Sequence, residues 1–149
     1  MTVDGALLAP CGLYCGVCGI RVAHAENDLA LKEKLGRAYG FSPEQIACEG
    51  CLSEKRFAYC EACAIRSCAQ AKGLAGCHEC AEFPCERIDA FPFEVGKRTI
   101  LRAVPARKEL GTERWVEQEE ARYRCPSCGA QSFRGARRCR VCKEAVALD

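Results

Sequence analysis

Long hydrophobic runs are missing from this chain. No stretch of its 149 residues approaches the ~18 consecutive apolar residues of a membrane span, so no membrane association is expected. The opening, MTVDGALLAP, has no basic stretch and only a short apolar run, which is not the pattern of a secretory signal. Large core-building side chains are scarce too: aromatics make up 7%, with one tryptophan and one methionine, so an ordinary greasy interior would be thin. Familiar catalytic signatures are absent. There is no Ser-His-Asp order, no phosphate-cradling glycine loop and no His-Glu-x-x-His. Glu61, Glu82 and Glu86 are the nearest acid–base candidates, and each reads as a solvated carboxylate or a helix N-terminal charge. The balance leans away from an enzyme.

What the chain has is cysteine, fifteen in all. Three features argue against a disulfide scaffold: the odd count, the lack of a secretory signal, and the concentration of cysteines in Cys-x-x-Cys pairs. That spacing is a metal knuckle in a reducing compartment, so a cytoplasmic protein is expected. Metal binding also changes the charge. The formal +2 becomes about −5 if all fifteen are thiolates on four divalent ions. The charge is uneven as well: from Ala121 onward the chain carries +5, and the first 120 residues carry −3.

The clearest pattern is YRCPSCGAQSFRGARRCRVCKE. Cys125 and Cys128 form one Cys-x-x-Cys, Cys139 and Cys142 another, ten residues apart. Each such turn aims two sulfurs at one point and leaves backbone amides free to donate to them, so two turns close a tetrahedron. A β zinc ribbon over 123–149 is the expectation. Its arginines (122, 124, 134, 137, 138 and 140), with Tyr123 and Phe133, offer a phosphate-and-stacking surface to nucleic acid; the plainer reading is that they offset the charge of the centre.

Eleven cysteines remain: Cys11, Cys15 and Cys18; Cys48 and Cys51; Cys60, Cys63 and Cys68; Cys77, Cys80 and Cys85. With one histidine they would complete three more tetrahedral sites, about four Zn²⁺ in all. His78, between Cys77 and Cys80, is the better placed of two histidines; His24 reads as a boundary residue. Cys48/Cys51 and Cys60/Cys63 are near enough in sequence to share an ion, and Cys77/Cys80 would recruit the opening triplet or Cys85. Interleaved pairings fit the same spacings.

Iron–sulfur chemistry is the alternative, with [4Fe–4S] clusters in the N-terminal part and an electron-transfer role. The Cys11-x3-Cys15-x2-Cys18 trio matches that of radical enzymes, but the chain is too short for their barrel. The bacterial ferredoxin run is missing. A three-thiolate metal with an open position at that trio is a third reading.

The rest of the chain reads as a small, mainly α, metal-stabilised fold with irregular knuckles. A short helix is expected over 16–25, then one from an Asp28 cap to a Gly40 stop, a Ser42 capping box, and a helix from about Glu61 to Lys72. Two further helices should lie on either side of Thr112. The parts are a cysteine-rich metal domain at 1–92, a helical connector at 93–122 and the ribbon at 123–149.

The segments Cys11-Gly12-Leu13-Tyr14-Cys15-Gly16, Cys48-Glu49-Gly50-Cys51, Cys63-Ala64-Ile65-Arg66-Ser67-Cys68 and Cys77-x-x-Cys80-Ala81-Glu82-Phe83-Pro84-Cys85 resemble an uncharacterised prokaryotic cysteine-rich family described as zinc-binding. The likeness covers about 9–92 and implies metal ligation by these cysteines, with no activity attached. Function is therefore expected to be that of a zinc-binding module docking a protein partner, or nucleic acid through the basic ribbon.

Overall fold

The computed structural model describes residues 2–149: seven α-helices joined by 3₁₀ turns and irregular loops, with isolated bridges but no extended strand among the described residues. A 3₁₀ turn, Cys15–Val17, leads into α1, Gly19–Ala25. Helix α2, Leu29–Tyr39, starts where the Asp28 side chain accepts from the Leu31 amide, and it stops at Gly40, whose φ of 80° only glycine takes readily. The Ser42 box is present, closing a 3₁₀ turn at Pro43–Gln45.

The single helix expected from about Glu61 to Lys72 is instead two. Helix α3, Ala58–Glu61, ends at Ala62, whose φ of −107° and ψ of 86° break the run. Helix α4, Ala64–Ala71, begins again with Cys63 as its N-cap, the sulfur accepting from the Arg66 amide. A cysteine with a capping task interrupts a stretch whose composition otherwise favours continuous helix. Helix α5, Glu86–Asp89, is one turn; α6, Glu94–Leu110, and α7, Thr112–Arg122, fill the cysteine-free stretch. Pro105 sits within α6 on its exposed side. Gly111 at φ 81° lets α7 double back on α6. There the carboxylate of the fully buried Glu119 takes both Arg102 guanidinium nitrogens, at 2.5 and 3.1 Å, and Arg107 stacks 5.1 Å over the Trp115 ring.

Three small apolar clusters make the core, and each draws on distant parts of the chain. The first packs α1 and α2 side chains (Ile20, Val22, Leu31) with Ile46 and Phe57, and takes Phe133 from the C-terminal segment. The second joins Leu7, Tyr14 and Val17 to Trp115, Val116 and Tyr123. The third sets Ile100 and Val104 of α6 against Ala9, Cys11, Ile65 and Ile88. Gly12 makes this last contact fit. Its φ is 91°, and a Cβ there would lie 2.8 Å from Val104 Cγ2.

The C-terminal segment has little β structure. Single antiparallel bridges, Arg124 to Gln131 and Arg138 to Ala145, close each Cys-x-x-Cys loop, giving two knuckles in place of the strands of a ribbon. The spacer's groups are used elsewhere: Ser132 N–H donates to Tyr123, Arg134 N–H donates to Val17, and Phe133 is buried in the body. No helix is long and apolar enough to cross a membrane.

Candidate metal centres

The Sγ atoms of Cys125, Cys128, Cys139 and Cys142 all lie within 4.8 Å of one another and could hold a metal ion. Cys125 and Cys142 are 3.6 Å apart, as are Cys128 and Cys139. Thiolates at about 2.3 Å from a tetrahedral ion would stand about 3.8 Å apart, so the four fit one ion without rearrangement. The two knuckles repeat one design. Gly129 N–H returns to the Cys125 carbonyl and Lys143 N–H to that of Cys139, with φ of 76° at Gly129 and 67° at Lys143. Amides also face the sulfurs. The N–H groups of Cys142 and Val141 lower the Cys139 thiol to about 6, and that of Cys128 lowers Cys125. Thiolate is therefore favoured at Cys125 and Cys139, whereas at Cys142 the Glu144 amide is outweighed by desolvation and the three neighbouring thiols, which push the thiol up to about 12.

The arginines around this centre mostly hold the protein together. Arg140 spans to Glu26 and Asp28 on the α1–α2 turn, Arg134 reaches the Tyr14 carbonyl at 3.4 Å, and Arg138 reaches that of Lys143 at 3.1 Å. Tyr123 is wholly buried and Phe133 nearly so, which removes both rings from any stacking surface. Exposed guanidinium groups remain at Arg122, Arg124, Arg137 and Arg138.

None of the fifteen cysteines is in a disulfide. The eleven N-terminal thiols gather without reaching the close spacing of the C-terminal four. Cys68 of α4, Cys77, Cys80 and Cys85 line one cavity of about 30 Å³, which no cysteine of the opening triplet lines. Burial first, then neighbours Cys80, Cys85 and Cys68, push the Cys77 thiol up to about 11.

Cys11, Cys15, Cys51 and Cys63 pack around the third apolar cluster, whereas Cys18 and Cys48 pack in the first. Burial, then Cys51 and Cys63, raise Cys11 to about 12; desolvation of its sulfur, then Cys18 and Cys48, raise Cys60 to about 12. Cys60 thus faces Cys48, Cys51 and Cys63 as well as Cys18 of the opening triplet. Gly50 lets the Cys48–Cys51 turn pass close to the start of the chain: at φ 126° a Cβ would stand 2.3 Å from the Ala6 carbonyl oxygen. Sequence spacing gave no sign of Arg66. Its guanidinium is buried among these thiols, donating to the carbonyls of Cys60 and Glu61 at 2.7 Å each and lying 3.8 Å from Cys51 Sγ. It is the positive charge a crowded thiolate set needs.

His78 does not line the cysteine cavity; it sits beside Glu79, with burial and Arg107 lowering its pKa. His24 lies 3.9 Å from Glu49, the residue after Cys48.

Together these features define a cysteine-rich, mainly helical protein with a four-cysteine cluster suited to a metal ion. A family model described as "Protein of unknown function (DUF3795)" matches residues 7–90, more than half of the chain, and the chain belongs to that family. No curated protein matches it, and no solved structure does.

Proposed function

We propose that this chain is a metal-stapled binding module. Cys125, Cys128, Cys139 and Cys142 hold one Zn²⁺ that fixes the C-terminal knuckles, and the eleven N-terminal thiolates are ligands to further metal. The connector over 93–122 ties the two parts together. The observation that carries this reading is the gathering of the C-terminal four sulfurs within 4.8 Å of one another, two pairs of them at 3.6 Å, with amides already donating to Cys125 and Cys139. Zinc suits that donor set: four thiolates, no vacant position and no redox demand. The ion would hold the knuckles closed, while Phe133 and Arg140 hold them on the helical body.

The partner is a protein or a polyanion such as nucleic acid. Support for the second comes from the exposed Arg122, Arg137 and Arg138 on a segment of net positive charge. Metal analysis of Cys125→Ser/Cys128→Ser should show one zinc fewer per chain than the parent; an equal zinc content overturns the assignment. Retention on a heparin column should fall when Arg137 and Arg138 become alanine, and unchanged retention removes the polyanion partner.

A further inference from the structure

The four thiols around the 30 Å³ cavity differ in kind from the C-terminal four. Cys68 comes from the second turn of α4, Cys77 and Cys80 flank a 3₁₀ turn at Cys77–Glu79, and Cys85 caps α5. Three separate elements thus bring four sulfurs to one space, with apolar walls from Ile65, Leu74, Phe83 and Ile88. The C-terminal four sulfurs stand within 4.8 Å of one another, the spacing of ligands to a single ion, whereas the four around this cavity are not gathered that closely. Here the sulfurs border a cavity larger than one water needs, with Lys72, Glu82 and Arg87 lining it beside the apolar groups.

We infer that Cys68, Cys77, Cys80 and Cys85 bind a [4Fe–4S] cluster. The donor set is the one such a cluster requires, one thiolate for each of four irons. Lys72, 3.8 Å from Cys80 Sγ, puts a positive charge beside its ligands. Lys72 is exposed and paired with Glu82 at 3.1 Å, so the site lies just beneath the surface. This assignment rests on the reading that the N-terminal cysteines are metal ligands, and it specifies which metal group this quartet takes.

The test uses the full chain, purified without oxygen and incubated with ferric iron, sulfide and an excess of thiol, which supplies the two electrons that take four Fe³⁺ to the two Fe³⁺ and two Fe²⁺ of the oxidised cluster. The expected result is about four iron and four acid-labile sulfide per chain beside the C-terminal zinc, with the EPR signal of a four-iron cluster after reduction. Zinc in the N-terminal part with no sulfide-bound iron overturns the cluster and leaves the metal-ligand reading intact. No metal beyond the C-terminal zinc overturns both.

Two variants locate the cluster. Cys80→Ser should lose the iron while keeping the C-terminal zinc. Lys72→Ala, a surface change that leaves the thiols in place, should keep the iron and shift the midpoint potential to more negative values. Removing a nearby positive charge disfavours the reduced cluster. An unchanged potential in Lys72→Ala would put any cluster elsewhere and refute the assignment.

Discussion

Replacing Phe133 with alanine tests whether the C-terminal knuckles are part of the folded body or merely tethered to it. The ring is 8% exposed and sits in the first apolar cluster against α1, so close that a Cβ on Gly19 would lie 2.9 Å from it. Truncating a buried phenylalanine removes its transfer free energy and leaves a cavity, together about 3–5 kcal/mol. For a chain of this size that should lower the melting temperature by roughly 10 °C. The zinc ligands and the amides that face them all belong to the knuckles themselves, so metal content should not change. Thermal melts followed by circular dichroism, with zinc measured on the same samples, would read both effects. A variant melting within a degree or two of the parent would mean that the docking of Phe133 on α1 does not hold in solution. Loss of zinc would mean the knuckles cannot close unless docked.

At the turn closing the second knuckle, Lys143 has φ 67° where the first knuckle has Gly129. Lys143→Gly should therefore stabilise the protein by about 0.5–1 kcal/mol in chemical denaturation, and destabilisation would show that the Lys143 ammonium contact to Arg140 outweighs the strain. The ion pairs of Arg140 with Glu26 and Asp28 should add pH dependence. Hydrogen bonding to Arg140 lowers the Glu26 pKa, so its contribution is present above the usual carboxylate range and fades as pH falls through the folded value. Glu26 is half exposed, which keeps the effect below about 1 kcal/mol. The acid limb of the stability profile should flatten slightly in Arg140→Ala, and an identical profile would refute the pair's role.

Local signals carried far in this sequence. Asp28, Gly40 and the Ser42 box set their helix and turn ends through groups within a few residues, and the C-terminal quartet is legible because all its ligands lie in one short segment. The division of α3 from α4 was hidden because Cys63 spends its sulfur on a cap, which composition does not reveal. The grouping of the eleven N-terminal cysteines was also hidden. Cys68 meets Cys77, Cys80 and Cys85, and Cys51 meets Cys11, only once α4 has packed against the start of the chain and α6. Tyr123 and Phe133 looked like surface aromatics in a basic segment, yet they anchor that segment to the core. Arg66 has no motif at all; only burial among thiols marks it.

On the proposed reading metal, more than apolar burial, keeps this chain folded, since its three clusters are small and each is bordered by cysteines. The direct test is to strip all metal with a strong chelator under full reduction and then record near-ultraviolet circular dichroism and a thermal melt. Loss of both the tertiary signal and the cooperative transition, restored on adding metal back, is the predicted result. A metal-free, reduced chain that melts cooperatively at the parent temperature would contradict the account.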